Sequence, residues 1–150
     1  MTVYNSQSPE QTQKIAQEFA QKLKGGDVVF LFGNLGDGKT TFTQGLAKGL
    51  GIKKRIISPT FILMRTHRLR KKDAKFFYHL DLYRMESEKD VDGLGLDEII
   101  GNKEAIVAIE WPEKLKDKLQ SISGDIYNVY LINTNVADNE RVIEIYEKER

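Results

Sequence analysis

Residues 28–42 read VVFLFGNLGDGKTTF, and the order of patterns within this stretch decides the fold. The run 28–32 is continuously apolar between glycines, which is typical of a strand buried on both faces of a sheet. Beyond the glycines, residues 41–50 carry apolar side chains at spacings of four and are followed by Gly51, which predicts a helix. A buried strand, a glycine-rich turn and a helix in direct succession favour an α/β fold.

Two other segments predict a helix and a strand that pack beside the strand, loop and helix of residues 28–50. Residues 9–24 begin with Pro9, directly after the capping residue Ser8. They carry apolar residues at spacings of three and four, so they predict a helix. Residues 105–109, AIVAI, predict a second central strand. We therefore expect a three-layer α/β domain with a mixed, partly antiparallel sheet.

The remaining β-prone runs predict the outer strands. Runs 61–69 and 76–83 flank a basic turn and predict a hairpin, while 86–100 contains two interior glycines and predicts short helical pieces. Runs 126–132 and 142–146 alternate in polarity, which predicts partly exposed antiparallel strands at the sheet edge.

Composition limits the chemistry and the compartment. With 40% hydrophobic and 30% charged residues in 150, and no repeat or linker, residues 1–150 are expected to form a single domain. The absence of cysteine excludes a disulfide framework, a thiolate metal site and a cysteine nucleophile. No segment has the pattern of a secretory signal or the roughly 20 apolar residues of a membrane span, so we expect a cytoplasmic protein without membrane contact.

The net charge of +1 hides a strong asymmetry along the chain. Residues 53–75 contain nine basic residues and one acid, whereas residues 81–113 contain ten acids and three bases. A basic segment of this kind is either a solvated surface or a contact for an acidic protein or for tRNA.

Residues 33–40, GNLGDGKT, fit the phosphate-loop pattern of glycine, four residues, glycine, lysine and threonine. The glycines let backbone N–H groups surround a phosphate without obstruction by a Cβ, and the following helix adds a favourable dipole. In this interpretation Lys39 reaches the β- and γ-phosphates, Thr40 gives its hydroxyl to Mg²⁺ and Thr41 lies near the α-phosphate. The predicted nucleotide-binding residues of the loop are Gly33, Asn34, Leu35, Gly36, Asp37, Gly38, Lys39, Thr40 and Thr41.

Two acidic residues are candidates for holding the metal or orienting water. A phosphate loop needs a carboxylate at the end of a neighbouring strand, and Glu110 directly follows the predicted strand 105–109. Asp81 lies in the alternating run 79–84, HLDLYR, and shares one strand face with His79. The predicted catalytic residues are Lys39, Asp81 and Glu110, and the predicted metal ligands are Thr40, Asp81 and Glu110.

Two further residues complete the predicted nucleotide site. Thr60 lies in Ser58-Pro59-Thr60-Phe61, which resembles a switch segment whose threonine senses the γ-phosphate and its metal. Trp111, the one tryptophan of the chain, directly follows Glu110, so we expect it to lie near bound nucleotide.

Four segments in this order resemble the landmarks of the TsaE family, also called YjeE: residues 35–42, 58–61, 79–84 and 109–113. These are small bacterial ATPases of the pathway that makes threonylcarbamoyladenosine in tRNA. The resemblance implies binding of ATP or ADP with Mg²⁺, ATP hydrolysis, and association with the proteins TsaD and TsaB. It implies contact with tRNA only indirectly, through that complex, because TsaE does not itself transfer the threonylcarbamoyl group.

Two loop residues depart from the family pattern. The family usually has an acidic residue at the position of Asn34 and a small residue at the position of Asp37. A carboxylate beside a triphosphate weakens binding by charge repulsion, unless it points to solvent or pairs with a base. The side chain of Asp37 therefore bears directly on nucleotide affinity.

Other functions share the same loop. A small-molecule P-loop kinase would transfer the γ-phosphate to an acceptor, and a nucleotide-gated binding module would use ATP only to set its affinity for partners. A GTPase is disfavoured, because Asn102-Lys103-Glu104-Ala105 lacks the final aspartate of the base-reading Asn-Lys-x-Asp segment.

Overall fold

The described part of the chain contains seven strands and four α-helices. The computed structural model describes residues 1–56, 63–87, 89–118, 122 and 124–149. The strands in these ranges are β1 (Thr2–Ser6), β2 (Val28–Phe32), β3 (Met64–Arg68), β4 (Phe76–Asp81), β5 (Ala105–Glu110), β6 (Ile126–Asn133) and β7 (Arg141–Lys148). The helices are α1 (Pro9–Phe19), α2 (Lys39–Gly49), α3 (Lys89–Asp92) and α4 (Leu96–Gly101), with 3₁₀ segments at Ala20–Lys22 and Pro112–Lys118.

One mixed sheet contains all seven strands of the described residues, in the order β1-β7-β6-β2-β5-β4-β3. Strand β2 pairs in parallel with both β5 and β6, and β4 pairs in parallel with β5. The pairs β1–β7, β6–β7 and β3–β4 are antiparallel. The predicted central strands are therefore confirmed, and the parallel strands β2, β4 and β5 end at the same edge of the sheet, where α/β proteins bind ligands.

Helices cover both faces of the sheet, which confirms the three-layer α/β prediction. Helices α1 and α2 pack on one face through buried residues that include Ala16, Phe19, Phe42 and Leu46. On the other face, α3, α4 and the second 3₁₀ segment bury Val91, Leu96, Ile99, Ile100 and Leu115 against β2 and β5.

Local signals explain where α1 begins and how closely it packs. Ser8 caps α1, since its side chain accepts a hydrogen bond from the Gln11 N–H at 3.0 Å. The helix ends at Phe19 and continues as a 3₁₀ turn, earlier than the predicted end at residue 24. A Cβ added at Gly45 of α2 would lie 2.7 Å from the Ala16 Cβ, so α1 and α2 meet at backbone distance.

The sheet edge differs from the prediction. Strands β6 and β7 are antiparallel to each other as expected, but neither is an edge strand, because β1 pairs with β7 on its outer side and β6 pairs with β2. The prediction missed β1 because Thr2–Ser6 has no apolar run, and it becomes a strand through pairing with residues more than 130 positions away.

The other sheet edge carries the basic hairpin. The predicted pairing of the two β-prone runs is confirmed by β3 and β4, which are antiparallel, and the short helices expected in 86–100 are α3 and α4. Basic residues Arg65, Arg68, Arg70 and Lys72 are exposed on β3 and the following turn. Lys75 reaches the Glu104 carboxylate at 3.1 Å. Within the described ranges, no helix has the length and apolar character that a bilayer span requires.

Candidate functional site

The phosphate loop connects the end of β2 to the start of α2, as the sequence predicts. Gly36 and Gly38 have φ angles of 83° and 103°, in the left-handed region that glycine adopts without steric cost. The N–H groups in the first turn of a helix lack carbonyl partners within the helix, so the start of α2 offers donors to an anion at the loop.

A cavity of about 470 Å³ opens beside this loop. Its volume lies in the usual range for small-molecule sites. It is lined by nine of the predicted residues, Leu35, Gly36, Gly38, Lys39, Thr40, Thr41, Asp81, Glu110 and Trp111, and by Leu63, Tyr83 and Arg84, which we did not predict as site residues. Tyr83 and Arg84 belong to the run HLDLYR, so the signal that identified Asp81 also contained them.

The loop has a second side, where the other three predicted loop residues lie. Gly33, Asn34 and Asp37 line a smaller cavity of about 320 Å³ next to β6. The Asp37 side chain is buried, and its Oδ2 accepts a hydrogen bond from the Asn34 N–H at 2.8 Å. The carboxylate of Asp37 therefore closes the loop on itself through a hydrogen bond to the loop backbone.

Lys39 and Arg84 are the two basic residues that line the larger cavity, and Lys39 belongs to the phosphate loop. The Lys39 side chain is buried, and its Nζ donates to the carbonyl oxygens of Gly33 and Asn34 at 2.7 and 2.8 Å. The same ammonium lies 4.4 Å from the centroid of the Trp111 ring. Burial lowers the pKa of Lys39, and the nearby Glu110 and Asp37 carboxylates oppose that shift.

Glu110 joins the phosphate loop to the neighbouring strands. The Thr40 hydroxyl donates to Glu110 Oε1 at 3.0 Å, across 70 positions of sequence. On the other side, Glu110 Oε2 lies 2.5 Å from His79 Nε2 of β4. Glu110 is only 2% exposed, and each of its carboxylate oxygens has a partner that holds it in place.

Asp81 stands next to Glu110, because the two residues are register partners on β4 and β5. Its Oδ1 accepts a hydrogen bond from the Tyr83 N–H at 3.1 Å. The described residues contain no group of three His, Asp or Glu side chains that could hold a metal by themselves. The hydroxyl of Thr40 and the two carboxylates instead match Mg²⁺, which binds through one or two carboxylates together with phosphate oxygens and waters.

His79 is a site residue whose role the sequence did not reveal. It is fully buried beside Glu110, and its Nδ1 has no hydrogen-bond partner among the described residues. The alternating run HLDLYR placed it on the Asp81 face, but only the pairing of β4 with β5 brings it to Glu110.

Trp111 lies on the wall of the larger cavity, and its contact with nucleotide remains a prediction. Its φ is 61°, which is unusual for a bulky residue and marks local backbone strain after β5. The ring packs 5.2 Å from the Tyr83 ring, measured between centroids. Thr60 and the rest of the segment 58–61 lie outside the described residues, so the proposed switch remains a prediction.

These elements define the class of protein. A buried parallel strand, a glycine loop with Lys39 and Thr40, and a carboxylate from the adjacent strand that meets Thr40 are the parts of a P-loop protein with a nucleotide-type site.

Comparison with known proteins identifies the family. The family model described as "Threonylcarbamoyl adenosine biosynthesis protein TsaE" matches residues 6–143. The chain belongs to the TsaE family, which confirms the resemblance drawn from its four sequence segments.

Individual relatives agree with this assignment. The tRNA threonylcarbamoyladenosine biosynthesis protein TsaE of Bacillus subtilis is 37% identical over 137 residues, which cover 91% of this chain and 79% of that protein. The protein of the same name from Aquifex aeolicus is 39% identical over 144 residues, covering 95% and 93%. The crystal structure of Bacillus subtilis YdiB matches with a TM-score of 0.72 and 32% identity, over 99% of this chain and 86% of that one.

Proposed function

We propose that the protein binds ATP with Mg²⁺ in the larger cavity and hydrolyses it slowly, in support of the TsaD–TsaB complex that threonylcarbamoylates tRNA adenosine in the cytoplasm. The observation that carries this proposal is the contact between the Thr40 hydroxyl and Glu110 Oε1 at 3.0 Å. It brings a metal-binding hydroxyl of the loop and a strand-end carboxylate together, beside the Lys39 ammonium.

Each side chain has a role that follows from its chemistry. The loop N–H groups and Lys39 hold the phosphates, and Lys39 stabilises the charge that develops on the transferring group. Thr40, Glu110 and Asp81 would hold Mg²⁺, which when bound neutralises the charge of the phosphate oxygens. Because Glu110 and Asp81 lie side by side, one of them can also orient the attacking water.

The partner surface that we propose is the exposed basic hairpin. Arg65, Arg68, Arg70 and Lys72 lie on or beside the edge strand β3, where another protein can approach them. An acidic surface on the TsaD–TsaB complex would complement this charge, with tRNA reached only through that complex.

Phosphate release from γ-labelled ATP, with and without TsaD and TsaB, tests the proposed function. We expect inorganic phosphate as the labelled product, Mg²⁺ dependence, and faster turnover with both partners present. Transfer of the label to an acceptor would indicate a kinase instead. ATP-dependent association with the partners but no phosphate release under any condition would indicate a nucleotide-gated binding module.

Trp111 gives an intrinsic signal for nucleotide binding. Because the Lys39 ammonium lies 4.4 Å from its ring, movement of that ammonium toward a phosphate should change the tryptophan emission. We expect a saturable change on addition of Mg·ATP or ADP, which Trp111→Phe should remove without removing binding measured by calorimetry. Constant emission while calorimetry reports saturation would place Trp111 outside the nucleotide contacts.

A further inference from the structure

Arg141, the first residue of β7, contacts the phosphate loop although it does not line the larger cavity. Its Nε donates to the Asp37 carbonyl oxygen at 3.0 Å, and its Nη2 donates to the Gly36 carbonyl oxygen at 3.2 Å. Its Nη1 donates to the carbonyl oxygens of Asp138 and Glu140 at 2.9 and 2.8 Å. One guanidinium thus joins the loop to the turn before β7.

The backbone that carries this guanidinium is held on both sides. Arg141 is the register partner of Asn133 in β6 and of Ser6 in β1, so its backbone lies between two neighbouring strands. Because its backbone is paired and its guanidinium donates to four carbonyl oxygens, the side chain has little conformational freedom. Arg141 is therefore a rigid support for the loop.

The contacts with Arg141 set the direction of the loop peptides. In a trans peptide, the C=O and the N–H of the same unit point to opposite sides, and the described residues contain no cis peptide bond. Since the Asp37 carbonyl faces Arg141, the Gly38 N–H points away from it. Gly38 lines the larger cavity, so Arg141 helps direct a loop donor to the side where an anion would bind.

The loop needs such support because of its glycines. Gly36 and Gly38 both have positive φ angles, and glycine loses more conformational freedom on ordering than any other residue. A loop that is ordered before binding avoids part of that cost when the ligand arrives.

The positive charge of Arg141 also favours binding of an anion at the loop. All four of its acceptors are backbone carbonyls, and in the part of the chain that the structure describes it makes no ion pair with a carboxylate. A positive charge beside the loop adds to the potential that attracts phosphate.

We propose that Arg141 is a positioning residue that pre-organises the phosphate loop for nucleotide, an inference that rests on the proposed function. It acts through the loop backbone and touches no reacting atom. Its contribution is therefore equal in the ground state and the transition state, so its loss should raise KM and leave kcat nearly unchanged.

Two variants test this role, Arg141→Ala and Arg141→Lys. For Arg141→Ala we expect hydrogen exchange in residues 33–38 to accelerate about tenfold, and the Kd and KM for Mg·ATP to rise about tenfold, with kcat within about twofold. For Arg141→Lys we expect loop exchange, Kd and KM between those of the unchanged protein and those of Arg141→Ala, because a single ammonium cannot reproduce the fork of the guanidinium.

Two control variants separate this role from general damage to β7. Val142→Ala reduces packing at the next residue of the strand, and Lys148→Ala removes the same charge from its other, exposed end. Loop exchange that accelerates as much in either control as in Arg141→Ala would overturn the inference.

The remaining outcomes distinguish this inference from the proposed function. If the unchanged protein binds neither ATP nor ADP, the proposed function fails. If the unchanged protein binds nucleotide, but Arg141→Ala alters neither loop exchange nor affinity, the inference fails alone. A fall in kcat at constant KM would also overturn it, since that result would place Arg141 in the chemical step.

Discussion

Lys39→Ala is expected to lower ATP turnover by at least about 10²–10³-fold, the usual effect of losing one group that stabilises developing charge in a water-poor site. The Lys39 ammonium is buried, and it is already within hydrogen-bond distance of two loop carbonyls. Its interaction with a phosphoryl group therefore takes place where solvent screens charge poorly. The measurement is steady-state phosphate release at saturating Mg·ATP.

Lys14→Ala is the matched control for this variant. Lys14 is exposed on α1, so its replacement removes the same charge from a helix outside the cavity, and turnover should not change. Thermal unfolding of Lys39→Ala should remain close to that of the unchanged protein, because burial of this ammonium opposes its charged form. Normal turnover in a folded Lys39→Ala protein would show that the hydrolytic site lies elsewhere.

Glu110→Gln is expected to reduce turnover about 10²-fold or more while nucleotide affinity changes by only a few-fold. The substitution preserves shape but removes the charge that faces Thr40 on one side and His79 on the other. If Glu110 positions metal or water, its contribution is larger in the transition state than in the bound ground state. Single-turnover hydrolysis and calorimetric titration with ADP and Mg²⁺ measure the two effects separately.

Asp81→Asn should follow the same pattern, because Asp81 is the register neighbour of Glu110 at the same sheet edge. Glu98→Gln is the control, since it removes one carboxylate from the exposed surface of α4. Equal losses of binding and turnover would reassign either carboxylate to nucleotide binding alone. No loss in either measurement would remove that residue from the site.

The sequence predicted those parts of the fold in which each helix or strand carries its own local sequence pattern. The strand, glycine loop and helix of residues 28–49 are contiguous, and each has its own local pattern. Strand β5 was equally clear, because a fully apolar run has few stable places other than the centre of a sheet. Strand β1 was not predictable, since its five residues have no apolar run and depend on β7 for pairing.

Within the site, the sequence alone determined which residue types are present: a lysine and a threonine in a phosphate loop, and acids at or near strand ends. Only the tertiary structure decided that Thr40, Glu110 and His79 form one connected group, because their contacts span 70 and 31 positions. It also decided that Asp37 lines the smaller cavity and that Arg141 donates hydrogen bonds to two loop carbonyls. The physical reason is range: propensity and periodicity act over a few residues, whereas the register between distant strands follows from the packing of the whole sheet.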